Sequence, residues 1–175
     1  SGLYNDNSNT NQLNQFIMAE AITKELDPSY GSIQKLHARD TNLIVLCEDK
    51  VLKVLADKDA LYNADGSANV LSANRFLRQA TPYVGEYGIS NQPESFATHG
   101  YQAYFTDKAR GVVIRLSQDG ITPISDHGMK DYFSDNLVTD KLDHMIGSYD
   151  NRKRLYNITI LDSSVATDFS LDTGN

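Results

Sequence analysis

Residues 104–120 read YFTDKARGVVIRLSQDG, and whether they form a phosphate cradle or two strands and a turn decides the fold. A phosphate loop needs the spacing Gly-x-x-x-x-Gly-Lys, so that successive backbone N–H groups can surround the anion. That spacing is absent here. What is present is alternation. Tyr101, Ala103 and Phe105 share one face, and after Lys108-Ala109-Arg110 a second run places Val112, Ile114 and Leu116 on one face with Arg115 on the other. Asp119-Gly120 predicts a tight turn into ITPIS (121–125), where Pro123 has no N–H for a ladder and marks an edge strand. The stretch therefore reads as three antiparallel strands. Lys108, Arg110 and Arg115 are expected to solvate turns and guard strand edges rather than to hold an anion.

The same plan recurs on either side. SIQKLHA (32–38) alternates, and NLIVLC (42–47) turns over Glu48-Asp49-Lys50 into VLKVLA (51–56). Near the other end HMIGSYD (144–150) leads through a tip at Asn151–Lys153 into RLYNITIL (154–161). NLIVLCEDKVLKVLA, QAYFTDKARGVVIRLS and IGSYDNRKRLYNITI share an apolar strand, an Asp, a basic turn and a second apolar strand. Repeated hairpins of this kind build β-propeller blades and β-sandwiches. Three units are too few to close a propeller of ordinary size, so the sheets are expected to be completed in a larger ring or by partners.

Between the hairpins the signals are weaker. Residues 13–26 have partial helical spacing and stop at Asp27-Pro28, which predicts a helix. Residues 57–74 are turn-rich, and 75–95, with Pro82, Gly85, Gly88 and Pro93, predict a long connection or short edge strands. Ser125 or Asp126 is expected to cap a short helix over 127–137 that puts Met129, Phe133 and Leu137 on one stripe. The expected architecture is mainly β, an antiparallel meander resembling part of a β-propeller, with one or two short helices. Residues 1–12 form an irregular lead-in, 13–161 one β-rich domain and 162–175 a polar tail.

Composition bounds the function. The chain has 175 residues, a net charge of −7, 18 Asp against 5 Glu, and 10 Tyr. Excess acid argues against binding nucleic acid or an anionic membrane surface. No apolar run approaches the roughly 20 residues of a membrane span, and no basic-then-apolar leader predicts a signal peptide. The chain is expected to be soluble. A single cysteine, Cys47, excludes an internal disulfide, and on a strand face with Leu43 and Val45 it reads as a small core hydrophobe.

Candidate chemistry is sparse. His37, His99, His127 and His144 show no i,i+4 pair, and no Cys-rich set accompanies them. Ser125-Asp126-His127 lacks a nucleophile elbow. A calcium loop starting at Asp57 would need an oxygen ligand at its fifth position, Gly at its sixth and Glu at its twelfth; Leu61, Tyr62 and Ala68 stand there, which leaves only an irregular site at Asp57, Asp59 and Asp65. Asp126, Asp131, Asp135, Asp140 and Asp143 could pair as glycosidase carboxylates, but solvated acids are far commoner. Asn157-Ile158-Thr159 fits a glycosylation sequon within an expected strand. No catalytic, cofactor-binding or metal-binding residue is assigned, and no cofactor is expected.

Three segments together carry a family resemblance. DPSYGSIQKLHARDTNLIVLCEDKVLKVLADKDALYNADG (27–66), YVGEYGISNQPESFATHGYQAYFTDKARGVVIRLSQDGITPIS (83–125) and IGSYDNRKRLYNITI (146–160) resemble large virion structural proteins of tailed bacteriophages. The resemblance runs over about residues 1–161. It implies a non-enzymatic tail component of the nozzle, muzzle or baseplate region, present in the virion and in host cytoplasm during assembly. Its implied partners are other tail proteins or copies of itself, through propeller-like domains around the tail axis. The alternative is a receptor- or glycan-binding tail module using Tyr83, Tyr87, Tyr101 and Tyr132. The family offers no catalytic residue to carry over.

Overall fold

A computed structural model describes residues 4–5, 10–11, 14, 24–40, 42–55, 61–62, 68–69, 79–139 and 142–162. Four strands, β1 (Ile33–Arg39), β2 (Asn42–Cys47), β3 (Val51–Leu55) and β4 (Ala80–Pro82), form a first antiparallel sheet in that order. Four more, β5 (Ala97–His99), β6 (Gln102–Asp107), β7 (Val112–Ser117) and β8 (Gly120–Pro123), form a second with the same up-and-down order. A helix, α1 (Lys130–Leu137), follows. The long hairpin of β9 (Leu142–Asp150) and β10 (Leu155–Asp162) ends the described chain. Two-residue ladders at Tyr4–Asn5 with Thr10–Asn11 and at Leu61–Tyr62 with Ala68–Asn69 complete the strands. The molecule is mainly β and antiparallel.

Strand period 2 explains how the units stack. Ile44, Leu46 and Val51 of the first sheet meet Ala103, Phe105, Ile114 and Leu116 of the second in one buried cluster with Ile89. Phe105, Ile44, Leu46, Ile114 and Leu116 are inaccessible to water, and each contributes about 1.5–3 kcal/mol through burial. The opposite face of the second sheet is covered too. Val113 packs with Leu137 of α1 and with Leu142 and Met145 of β9, and Ile124, Phe133, Tyr156, Ile158 and Ile160 surround them. The middle sheet thus lies between a sheet on one side and a hairpin with a helix on the other.

The far face of the first sheet is apolar in every paired position. Register places Leu36, Val45, Leu52 and Pro82 in one row and Ala38, Leu43, Val54 and Ala80 in the next, with Ile33 beside Cys47. Val45, Cys47, Leu52 and Val54 are buried, and Leu26 and Tyr30 from the entering chain pack on them. Leu36 and Ile33, on strand β1, stay 56% and 53% exposed.

The expected hairpins are present with their tips at 48–50, 108–111 and 151–154. Pro123 lies on β8, the edge of its sheet. Three expectations need correction. The helix starts at Lys130, not at 127, and neither Ser125 nor Asp126 caps it: Met129 holds the cap position and makes no side-chain bond there. Gly128 has φ +85, outside helical space, and the Ser125 hydroxyl is engaged by the Val113 N–H at 3.2 Å. At the 117–120 turn, only Gly120 has positive φ, and it pairs with Ser117 as the first residue of β8. Of the expected helix over 13–26, residue 14 is a turn and residues 24–26 have no regular structure, while its other residues, and the calcium loop at 57, 59 and 65, lie outside the described residues.

Candidate functional site

The basic turn of residues 107–111 is held from within. Asp107 is fully buried at the end of β6, where its carboxylate accepts from Gly88 N at 3.1 Å, Ser90 Oγ at 2.8 Å, Arg110 N at 3.3 Å and Arg110 Nη1 at 3.0 Å. Arg110 also lies 3.5 Å from Asp49 at the first hairpin tip. Lys108 donates to the Leu142 carbonyl at 2.9 Å, and Lys50 pairs with Glu86 at 2.8 Å, which holds the Glu86 carboxyl below its ordinary range. These cations tie tips and loops to one another. Asp150 does a similar service at the last tip, accepting from Arg152 N at 2.8 Å and Lys153 N at 3.1 Å. A carboxylate at the end of a first strand, bonded to the N–H groups of its own turn, is thus the shared device of the second and third hairpins.

Two glycines let backbones touch where the layers join. A Cβ at Gly88 would lie 1.9 Å from the Glu48 carbonyl oxygen, and one at Gly147 would lie 1.9 Å from that of Ser95. Gln92 clips β9 beside this contact, donating to Asp143 O at 3.0 Å and accepting from Met145 N at 2.9 Å. The Ser95 hydroxyl accepts from Thr106 N at 3.2 Å, and the Tyr156 hydroxyl donates to the Ser95 carbonyl. Burial pushes the Tyr156 phenol pKa well up, so it stays a neutral donor.

Between β10 and α1, above the second sheet, lies a cleft of about 300 Å³. Its floor and walls are Val113, Ile124, Phe133, Tyr156 and Ile158, and its rim carries His127, Met129, Arg154 and Leu155. Tyr104 and Tyr149 line one end. His99, Tyr149, Tyr104 and Tyr156 form a run of near-parallel rings with centroids 4.5, 5.4 and 5.4 Å apart. Burial, and then the neighbouring Tyr149, push the Tyr104 phenol pKa up. Arg154 stands at the mouth in a left-handed conformation with φ +57. Among the described residues no acid pairs with it.

The candidates read from sequence disperse. Cys47 is buried in the first sheet, and burial followed by Glu48 raises its thiol pKa, so it remains a protonated hydrophobe. His37 packs against Phe96, His99 against Tyr149, and His144 lies near Glu94 and Asp143 at 3.9 and 3.7 Å. Among the described residues no three His, Cys, Asp or Glu side chains come together as a metal group, and no helix is long and apolar enough to cross a membrane. Asp126, Asp131, Asp135 and Asp143 are exposed, and Asp140 lies outside the described residues. Tyr83 and Tyr87 pack on the central cluster, while Tyr101 and Tyr132 are half-exposed on separate elements. Sequence reading missed the Tyr104–Tyr149–Tyr156 run. The signal was available in the last hairpin, whose four-residue tip makes Tyr149 and Tyr156 direct partners. No protein-family model matches the chain, and no curated protein matches it in sequence.

Proposed function

We propose that this chain is a non-enzymatic structural component of a bacteriophage tail, working through contacts with neighbouring blades, tail proteins or copies of itself. The observation that carries the reading is the stacking of its β units. Two four-stranded meanders of identical order lie face to face, and the second is buried on its other side by α1 and a two-stranded hairpin. Consecutive four-stranded sheets packed face against face are how propeller blades stack. Ile33 and Leu36 stay half-exposed at the margin of the first sheet's far face, whose centre is buried, and the last hairpin has two strands among the described residues. A glycan-binding role through Tyr83, Tyr87, Tyr101 and Tyr132 is less well supported, because the first two pack on the central cluster and the other two stand on separate elements.

Antibodies raised against the chain, applied to particles purified from its source culture, test the assignment by electron microscopy. Decoration of tails is the expected result. Particles decorated only on their heads, or free of the chain by mass spectrometry, would overturn it.

A further inference from the structure

The cleft between α1 and β10 differs in charge from the chain around it. None of its twelve lining residues is acidic, although the chain carries 23 Asp and Glu. Its walls, Val113, Ile124, Phe133 and Ile158, are apolar. Two polar side chains that line it lack an acceptor among the described residues. Arg154 is exposed at the mouth, with no acid beside it. Ser125 is only 3% exposed; its oxygen takes the Val113 N–H at 3.2 Å, and its own proton goes to no described acceptor. A hydroxyl has one donor besides its lone pairs, so that proton is available to an oxygen in the cleft.

Size, surface and charge together define one kind of occupant. A volume of about 300 Å³ stands at the small end of ligand sites, and about 150 Å³ holds a benzene ring. One ring with a short side chain fits. We propose that the cleft binds a small aromatic carboxylate, with its ring on the apolar walls and its carboxylate on Arg154. The ring packs against Phe133 and the aliphatic walls, where burial stabilises it. At the mouth the Arg154 guanidinium matches a carboxylate through two parallel N–H···O bonds, and the rim residue His127 offers a further N–H. An oxygen carried on the ring accepts the Ser125 proton. This site goes beyond the assembly role proposed above, and neither depends on the other.

Titration of the full nitrogen-15-labelled chain with 4-hydroxyphenylacetate, followed through amide NMR shifts, tests the proposal. Saturable shifts are expected at Val113, Ser125, Phe133 and residues 154–158, with a dissociation constant of about 1 mM or below. The neutral 4-hydroxyphenylacetamide is expected to bind about tenfold more weakly, because it gives Arg154 no counter-charge. Arg154→Asn removes the cation with a residue that tolerates the φ of +57 found there, so the fold is kept and the acid loses its advantage over the amide. Phenylacetate, which lacks the ring oxygen, is expected to bind several-fold more weakly than the hydroxy acid. Shifts that do not saturate, shifts confined to other residues, or equal affinities of acid and amide for the native chain overturn the proposal. Equal binding of phenylacetate overturns the part assigned to Ser125.

Discussion

At the scale of single residues, Asp107 does more than any other side chain to join separate segments. It accepts four hydrogen bonds from Gly88, Ser90 and Arg110, joining the 88–90 segment to its own turn. Asp107→Ala leaves buried donors unpaired and is expected to cost about 3–5 kcal/mol. At 2–4 °C per kcal/mol for a chain of this length, the melting temperature falls by roughly 10 °C. Asp150→Ala, at a wetter tip, removes bonds of about 0.5–1.5 kcal/mol each and should lower it by far less. Equal losses in thermal melts would contradict this ranking. Gly147→Ala forces a Cβ against the Ser95 carbonyl, so β9 must move off the 93–95 turn at a cost of about 1–3 kcal/mol. His37 titrates in a measurable way. Burial, followed by Arg39 and Lys35, lowers its pKa below the ordinary 6.5, so the unfolded chain binds the proton more tightly than the folded one. Its contribution is whole above about pH 6.5 and is lost as pH falls through the lowered folded value. Denaturant melts across that window should show the slope, and His37→Gln should flatten it.

At the scale of elements, the hairpins were legible because each combines period-2 alternation with a polar turn. In "YFTDKARGVVIRL" (104–116) both the alternation and the polar turn are local, so two strands can be read from its own residues. The stacking was harder to read. Val113 and Arg115 occupy the same face of β7, and only the hairpin above shows that this face is covered. The helix start was misread because Ser125 has a distant partner in Val113, and a sequence displays only local competitors for a cap. The cleft was invisible for the same reason, since its walls come from β7, α1 and β10. Strand β1 allows a prediction about association. Leu36 and Ile33 are half-exposed beside an apolar face, so Leu36→Glu with Ile33→Glu should weaken self-association with little change in thermal stability. Sedimentation velocity checks it, and undiminished association would exclude this face as a contact.

At the scale of the whole molecule, the second sheet is packed on one face by the first sheet and on the other by the last hairpin and α1, which gives the chain a dense centre. The central cluster between the two complete sheets accounts for folding. In the proposed assembly the contact surfaces are the apolar margin of β1 and the last hairpin, which has two strands among the described residues. The cations at the first two hairpin tips mainly bond to protein groups, so charge here secures geometry rather than capturing an anion. The most direct measurement is solution mass and shape across a concentration series, by light scattering coupled to small-angle X-ray scattering. The account predicts association that grows with concentration, with a mass above the 19.5 kDa of one chain and an elongated or ring-like profile. A compact particle of monomer mass at every concentration would contradict it.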